Sequence, residues 1–246
     1  MKKTALLLIS LILALLLASC GNYTPQTVIG EDGREHSEFY IDGFDAEKME
    51  CFFDEVVLGS EYSKGNGDTS LVQKWCGTLT YSADGGYTQS DLDIIAEFFA
   101  IFKDSPGFPK VEYRKNDPNA ALQLHFLPQN EFYEAISDTT SSFLADGVAT
   151  YYFDANTNEI DSGVIYYNND MLPSIRRAVL LEELYNVMGA ANDTALRNDS
   201  IVYQFSTVTE DLSKMDELIM RLLYLPNIKC GMAKDEVNTV IAELYY

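Results

Sequence analysis

The segment from Ser174 to Met188 constrains the fold most strongly, because it predicts a helix that needs cover on two sides. With about 100° of rotation per residue, one face collects the apolar residues Leu180, Leu181, Leu184, Val187 and Met188. The opposite face collects Ile175, Val179, Glu182 and Asn186. A helix of this kind lies between two layers of structure, so the chain is expected to build a core on both sides of it.

The order of the other elements indicates an α+β domain. Helical spacing of apolar residues predicts helices over 44–59, 90–103, 210–224 and 233–244, in addition to 174–188. Alternating or β-branched runs predict strands over 75–81, 110–114, 122–127, 148–153 and 163–167. Strands with interposed helices come first and helices close the chain, which is typical of α+β proteins.

The N-terminus predicts export and membrane anchoring. Lys2 and Lys3 precede an apolar run from Ala5 to Ala18 that is typical of a secretory signal. The run ends in Leu17-Ala18-Ser19-Cys20-Gly21, which resembles the lipobox of bacterial lipoproteins. That resemblance implies a signal peptide over 1–19 and an acylated Cys20 that holds the chain in the cell membrane, on the extracytoplasmic side. The alternative is an ordinary signal peptide that happens to be followed by a cysteine.

Residues 20–43, rich in Gly, Pro, Thr, Asp and Glu, are expected to form a flexible tether to a single domain over 44–246. The chain has 17 Lys and Arg against 38 Asp and Glu, a formal charge of −21. Nucleic acid is therefore excluded as a partner, because phosphate binding needs a basic surface.

Several chemistries have no signature in the sequence. It contains no GxSxG, SxxK, Walker or GxGxxG motif. Asp154-x-Asn156-x-Asn158 begins like a calcium loop, but Glu159 and Ile165 stand where the loop needs Gly and Glu. Only His36 and His125 are available as imidazole ligands, so no metal and no cofactor is predicted. The pairing of Cys51, Cys76 and Cys230 stays open; Cys51 and Cys76 are the nearer pair in sequence.

The 174–188 helix also carries the candidate site. Glu182 and Asn186 are four residues apart and Glu183 follows Glu182. This spacing is that of an HExxH zinc helix, in which two histidines bind metal and the glutamate acts as general base. Both histidine positions are occupied by other residues here.

Longer stretches resemble a family of bacterial lipoproteins known as domain of unknown function 2927. They are residues 52–62, Lys74-Trp75, residues 181–189 with Asn192-Asp193, Asp199-Ser200-Ile201, and residues 223–232 with Lys229-Cys230-Gly231-Met232. The same layout resembles a metzincin metallopeptidase, with an active-site-type helix at 174–188 and a Met-turn-like segment before the last helix. That resemblance implies a mixed twisted sheet. It puts Glu182, Asn186 and Asn192 in the metal-ligand positions, Glu183 in the general-base position and Met232 in the Met-turn.

Three hypotheses follow. The favoured one is an inactive metzincin-like domain that binds peptide or another envelope component through residues such as Asn186, Asn192 and Asp193. The second is an active hydrolase that uses Glu182 and Glu183 as a carboxylate pair. The third is a purely structural surface lipoprotein. Plainer roles are also open, with Glu182 and Asn186 bonded to each other and Glu183 solvated or paired with Arg176 or Arg177.

Overall fold

The computed structural model describes residues 23–59, 71–137, 145–205 and 209–245. The predicted signal segment and Cys20 lie outside the described residues. The strands are β1 (Thr27–Ile29), β2 (Glu35–Ser37), β3 (Lys74–Trp75), β4 (Thr78–Gly85), β5 (Lys110–Tyr113), β6 (Leu122–Leu127), β7 (Gly147–Phe153) and β8 (Glu159–Asn168). The helices are α1 (Ala46–Phe53), α2 (Gln89–Phe102), α3 (Gln129–Ile136), α4 (Pro173–Val187), α5 (Lys214–Tyr224) and α6 (Lys234–Tyr245). A π-helical turn, Asp54–Leu58, extends α1.

The main sheet runs in the order β3–β8–β6–β4–β5, and β7 pairs with β8 as well. Strands β8, β6, β4 and β5 are parallel, and β7 is antiparallel to β8. Parallel neighbours need a crossover between them, and α2 supplies the one from β4 to β5. The predicted α+β class is therefore confirmed, with a mainly parallel sheet and, among the described residues, six α-helices.

Helices α2 and α4 pack on the same face of the sheet. Tyr81 of β4 contacts Phe99 of α2, with ring centroids 5.5 Å apart. Leu122 is the β6 neighbour of Tyr81 and therefore shares its face. A β-carbon on Gly163 would lie 2.9 Å from Val187 Cγ2 and 3.4 Å from Leu122 Cδ1, so α4 covers the same face. From Ala178 onward every residue of α4 is buried or half-buried, as expected for a helix that is covered on two sides.

The strand predicted over 75–81 is two strands, β3 and β4. Cys76 and Gly77 separate them, and Gly77 has φ of +81°, a left-handed conformation that interrupts an extended ladder. β3 then pairs with β8, whereas β4 pairs with β5 and β6. The local pattern identified extended residues but not the point at which the chain changes partners.

Residues 23–43, which lie within the tether predicted over 20–43, contain regular structure and packed contacts. β1 and β2 form an antiparallel hairpin, and Phe39 is only 1% exposed. The side-chain amide of Asn227 donates to the Tyr23 carbonyl at 3.1 Å, and Arg221 pairs with Glu38 at 2.7 Å. One buried aromatic ring and these polar contacts fix a segment whose composition alone indicates a linker.

Helix α3 and the start of α5 also differ from the sequence predictions. α3 has no counterpart among the predicted helices; it buries Phe132 and Ile136, which are four residues apart. α5 begins at Lys214 rather than near residue 210, because Ser213 and Asp216 form a capping box there. Among the described residues, no helix combines the length and apolar character needed to cross a membrane.

Candidate functional site

Helix α4 is held in place at its C-terminal end. The Trp75 indole N–H donates to the Val187 carbonyl at 2.9 Å, and the Tyr224 hydroxyl donates to the Met188 carbonyl at 3.0 Å. Gly189 follows with φ of +101°, and a β-carbon there would lie 2.3 Å from the Gln73 carbonyl oxygen. Gly189 is therefore required both for the left-handed turn and for the close approach of the 73–75 segment.

Glu183 lies where α4 meets the edge strand β7. Its residue exposure is 7%. The carboxyl accepts hydrogen bonds from the Ala149 backbone N–H and from the Asn186 side chain. A β-carbon on Gly147 would lie 2.7 Å from both Cγ and Oε1 of Glu183, so only glycine allows β7 to lie this close. We refer to Glu183, Asn186, Gly147 and Ala149 as the Glu183 site.

Burial, and to a smaller extent the negative charge of Asp193, raises the pKa of Glu183 to about 8. The two hydrogen bonds from Ala149 and Asn186 act in the opposite direction but do not overcome desolvation. The Asn186 Oδ1 atom is also buried and has no hydrogen-bond partner among the described residues. At neutral pH Glu183 is therefore mainly in its neutral form.

Of the other predicted site residues, Asn186 and Asp193 lie near Glu183, whereas Asn192 contacts the turn after α1. Glu182, Asn186 and Asp193 are half-buried, and Asn192 is buried. The Asn192 side-chain amide donates to the Val56 carbonyl at 3.1 Å, and its backbone N–H reaches the same oxygen at 3.2 Å. Asn192 therefore holds the π-helical turn after α1.

The loop after Asn192 has a second contact with the same turn, which the sequence reasoning missed. The Thr194 hydroxyl donates to Glu55 at 2.6 Å, and the Ala195 backbone N–H donates to Glu55 at 3.2 Å. Glu55 lies in one of the stretches that carry the family resemblance, and this was the sequence feature that could have identified it. Gly147 and Ala149 were missed because a backbone contact with a distant helix leaves no local pattern.

Met232 lies beside the segment that leads into β3. Its carbonyl accepts from the Val72 N–H at 2.9 Å, and its sulfur lies 3.2 Å from the Lys229 backbone nitrogen. Through these contacts, Met232 connects the 71–75 segment to the loop before α6.

The residues do not fit the zinc ion that the metzincin resemblance implies. A carboxylate with two amide side chains is a weak donor set for zinc, which prefers imidazole and thiolate. The amide of Asn186 is bonded to Glu183, and that of Asn192 to Val56. Over residues 23–59, 71–137, 145–205 and 209–245, no group of three or more His, Cys, Asp and Glu side chains is placed to hold a metal ion.

The alternative that Glu183 is solvated or pairs with Arg176 or Arg177 is wrong. Arg176 binds both carboxylate oxygens of buried Asp91 at 3.0 Å, and its other terminal nitrogen donates to the Asn169 carbonyl at 2.9 Å. Arg177 pairs with Glu97 and Asp211, each at 2.9 Å. Both arginines point to groups on other elements, whereas Glu183 faces β7.

Two surface cavities lie away from the Glu183 site. They have volumes of about 410 and 450 Å³ and run along α2 and β5, the strand at the other edge of the sheet. Their lining includes Phe99, Tyr113 and Lys110 and no residue of α4. The Glu183 site is thus a packed contact between a helix and a strand, and neither cavity opens onto it.

A family model described as "Protein of unknown function (DUF2927)" matches residues 46–243. No curated protein matches the chain. Two solved structures of myroilysin show a weak likeness. The first has a TM-score of 0.38 and 9% identity, and covers 69% of this chain and 94% of its own. The second has a TM-score of 0.39 and 10% identity, and covers 83% of this chain and 99% of its own.

Proposed function

The chain belongs to the family described as "Protein of unknown function (DUF2927)", and from that premise we propose that it is a lipid-anchored, peptide-binding protein of the cell envelope that lacks peptidase activity. The observation that carries this proposal is the state of Glu183. The carboxyl is buried, is bonded to Ala149 and Asn186, and is mainly neutral at pH 7.

A general base must be ionised and must reach the proton it removes. Glu183 does not meet the second condition, because Gly147 lies against its carboxyl, and with a pKa of about 8 only a minority of it is ionised at pH 7. The side chain instead joins α4 to the first half of β7. The position that the metzincin resemblance assigns to catalysis thereby becomes a structural support for the edge strand.

The second half of β7 supports the binding role. Among the described residues β7 pairs only with β8, so its other edge has no strand beside it. Tyr152 is 57% exposed and Phe153 is 40% exposed near the end of this strand. An extended peptide adds to such an edge through backbone hydrogen bonds, and aromatic side chains contact alternate residues of the peptide. We infer that an extended peptide segment is the ligand.

The binding test uses an acetylated hexapeptide of alternating Val and Thr as the probe. Isothermal titration with the wild-type protein is expected to show binding that Tyr152→Ala weakens about 5–30-fold, the effect of losing about 1–2 kcal/mol at one aromatic contact. Leu196→Ala is the matched control, because Leu196 is also 57% exposed but lies in the loop before α5. Equal peptide affinity of the wild type and Tyr152→Ala would show that the peptide does not bind at the edge of β7.

The same preparations test for the absence of hydrolysis. Fluorescein-labelled casein is incubated with wild type and with Glu183→Gln, and neither is expected to release labelled peptides. Release by the wild type that disappears in Glu183→Gln would instead support the active hydrolase with Glu182 and Glu183. Glutamine has nearly the size and the neutral charge of a protonated glutamic acid, so Glu183→Gln is expected to fold. The comparison therefore reports on activity and not on loss of structure.

A further inference from the structure

Two cysteines that are far apart in sequence lie side by side in the structure. Cys76 is at the junction of β3 and β4, and Cys230 is in the loop before α6. Their Sγ atoms are 3.5 Å apart, although 154 positions separate them in the sequence. Each cysteine is followed by a glycine with a left-handed backbone, Gly77 at φ +81° and Gly231 at φ +80°. These two turns let the chain reverse direction just beyond each thiol.

The backbone around the two thiols is already held together. The Gly231 N–H donates to the Val72 carbonyl at 2.8 Å, and the Val72 N–H donates to the Met232 carbonyl at 2.9 Å. Leu71 and Ala233 form a further isolated bridge. The separation of the thiols is thus set by a short paired segment, so a bond between them needs only a small movement of side chains.

We propose that Cys76 and Cys230 form a disulfide bond that joins the 71–76 segment to the loop before α6. The third described cysteine, Cys51, is exposed on α1 and stays reduced. The oxidant is a small-molecule or protein disulfide, the class of reagent found outside the cytoplasm. This inference is independent of peptide binding.

The reaction proceeds by two thiol–disulfide exchanges. The Cys230 thiolate attacks one sulfur of the oxidant, forms a mixed disulfide and releases the first thiolate. Cys76 then loses its proton and attacks the Cys230 sulfur, which forms the internal bond and releases the second thiolate. Two protein thiols are oxidised and one disulfide is reduced to two thiols.

The surroundings favour Cys230 as the attacking group. The pKa of Cys230 is lowered to about 7, mainly by a hydrogen bond from the Cys76 thiol and also by the nearby Lys74 ammonium, whereas burial opposes both effects. The pKa of Cys76 is raised, first by sharing its proton with Cys230 and then by burial. The pair therefore holds one proton between two sulfur atoms near neutral pH, the state in which exchange begins.

The test uses the full chain purified from membranes in detergent and equilibrated with oxidised and reduced glutathione. Free thiols are then blocked with iodoacetamide under denaturing conditions, and peptides are mapped by mass spectrometry without reduction. The expected result is a linked pair of peptides containing Cys76 and Cys230, with Cys51 alkylated. Alkylation of both Cys76 and Cys230, or a link from either one to Cys51, would overturn the proposal.

A second measurement follows thermal unfolding with and without reductant. A disulfide that closes a long loop is expected to raise the melting temperature by about 5–10 °C in a chain of this size. Reduction should therefore lower the melting temperature of the wild type and of Cys51→Ser by this amount. Reduction should leave the melting temperatures of Cys76→Ser and Cys230→Ser unchanged. Should a serine variant fail to fold, the peptide map of the wild type still decides the question.

Discussion

At the residue scale, Glu183 is a carboxyl whose neutral form the fold stabilises. The unfolded chain releases its proton near the ordinary glutamate pKa of about 4.3, whereas the folded protein keeps it until about pH 8. The folded state therefore binds the proton more tightly than the unfolded state between these two values. Stability from this group is fully present below the unfolded pKa and is lost as the pH rises towards 8.

Glu183→Gln tests this linkage, because glutamine is always neutral. Each pKa unit corresponds to about 1.4 kcal/mol, so the free energy of unfolding of Glu183→Gln is expected to rise relative to wild type by a few kcal/mol from pH 5 to pH 8. Urea unfolding of both proteins at four pH values measures the difference. Glu243→Gln, at an exposed position on α6, is the control and should show no such trend. Parallel curves for wild type and Glu183→Gln would mean that Glu183 is ionised in the fold.

At the element scale, the two-residue strand β3 completes the ends of two helices. Lys74 is 6% exposed, and its ammonium donates to the carbonyls of Leu223, Leu225 and Ile228 around the C-terminus of α5. Trp75, the other residue of β3, donates to the last residue of α4. Carbonyls at a helix end have no partner within the helix, so β3 supplies partners that buried helix ends require.

Lys74→Met is expected to lower the free energy of unfolding by about 2–4 kcal/mol, because it removes the ammonium that donates to three buried carbonyls. Lys48→Met is the matched control. Lys48 also donates to a backbone carbonyl, that of Gly43 at 2.9 Å, but its side chain is 58% exposed and water replaces it. Urea denaturation of both variants gives the comparison. Similar small losses in the two variants would show that water reaches the end of α5.

At the scale of the whole molecule, the packed N-terminal segment determines how the domain sits relative to its proposed anchor. Tyr23 is held by Asn227, and the hairpin that follows is held by Phe39 and by the Glu38–Arg221 pair. Three peptide units separate Cys20 from Tyr23, a distance of at most about 11 Å. If Cys20 carries the lipid, the domain lies against the bilayer surface instead of hanging from a long tether.

Acylation of Cys20 is tested by the mass of the N-terminal tryptic peptide and by cell fractionation. The wild-type chain is expected in the membrane fraction, with a mature N-terminus at Cys20 that carries acyl chains. Cys20→Ser should lose the lipid and the cleavage before residue 20. Cys51→Ser, an exposed cysteine of the domain, should behave as wild type. A wild-type chain cut at another residue and recovered without lipid would contradict the anchor.

Local sequence patterns determined most of the secondary structure. The periodicity of apolar residues predicts α2, α4 and α6 and strands β5 to β8 to within a few residues, because each pattern is contained in a short window. The pattern of α4, with apolar residues on two opposite faces, also indicates that the helix is covered on both sides. The family resemblance is likewise carried by stretches of sequence that can be identified without the structure.

Tertiary structure alone decided the chemistry of the site. The missing β-carbon of Gly147 lets β7 pack against Glu183, and the resulting burial keeps the carboxyl mainly neutral although the Ala149 N–H acts in the opposite direction. Cys76 and Cys230 meet across 154 positions, whereas the nearer pair in sequence, Cys51 and Cys76, is not joined. Periodicity reports which face of an element is apolar. The pKa of a carboxyl and the partner of a thiol depend on atoms that another part of the chain brings near.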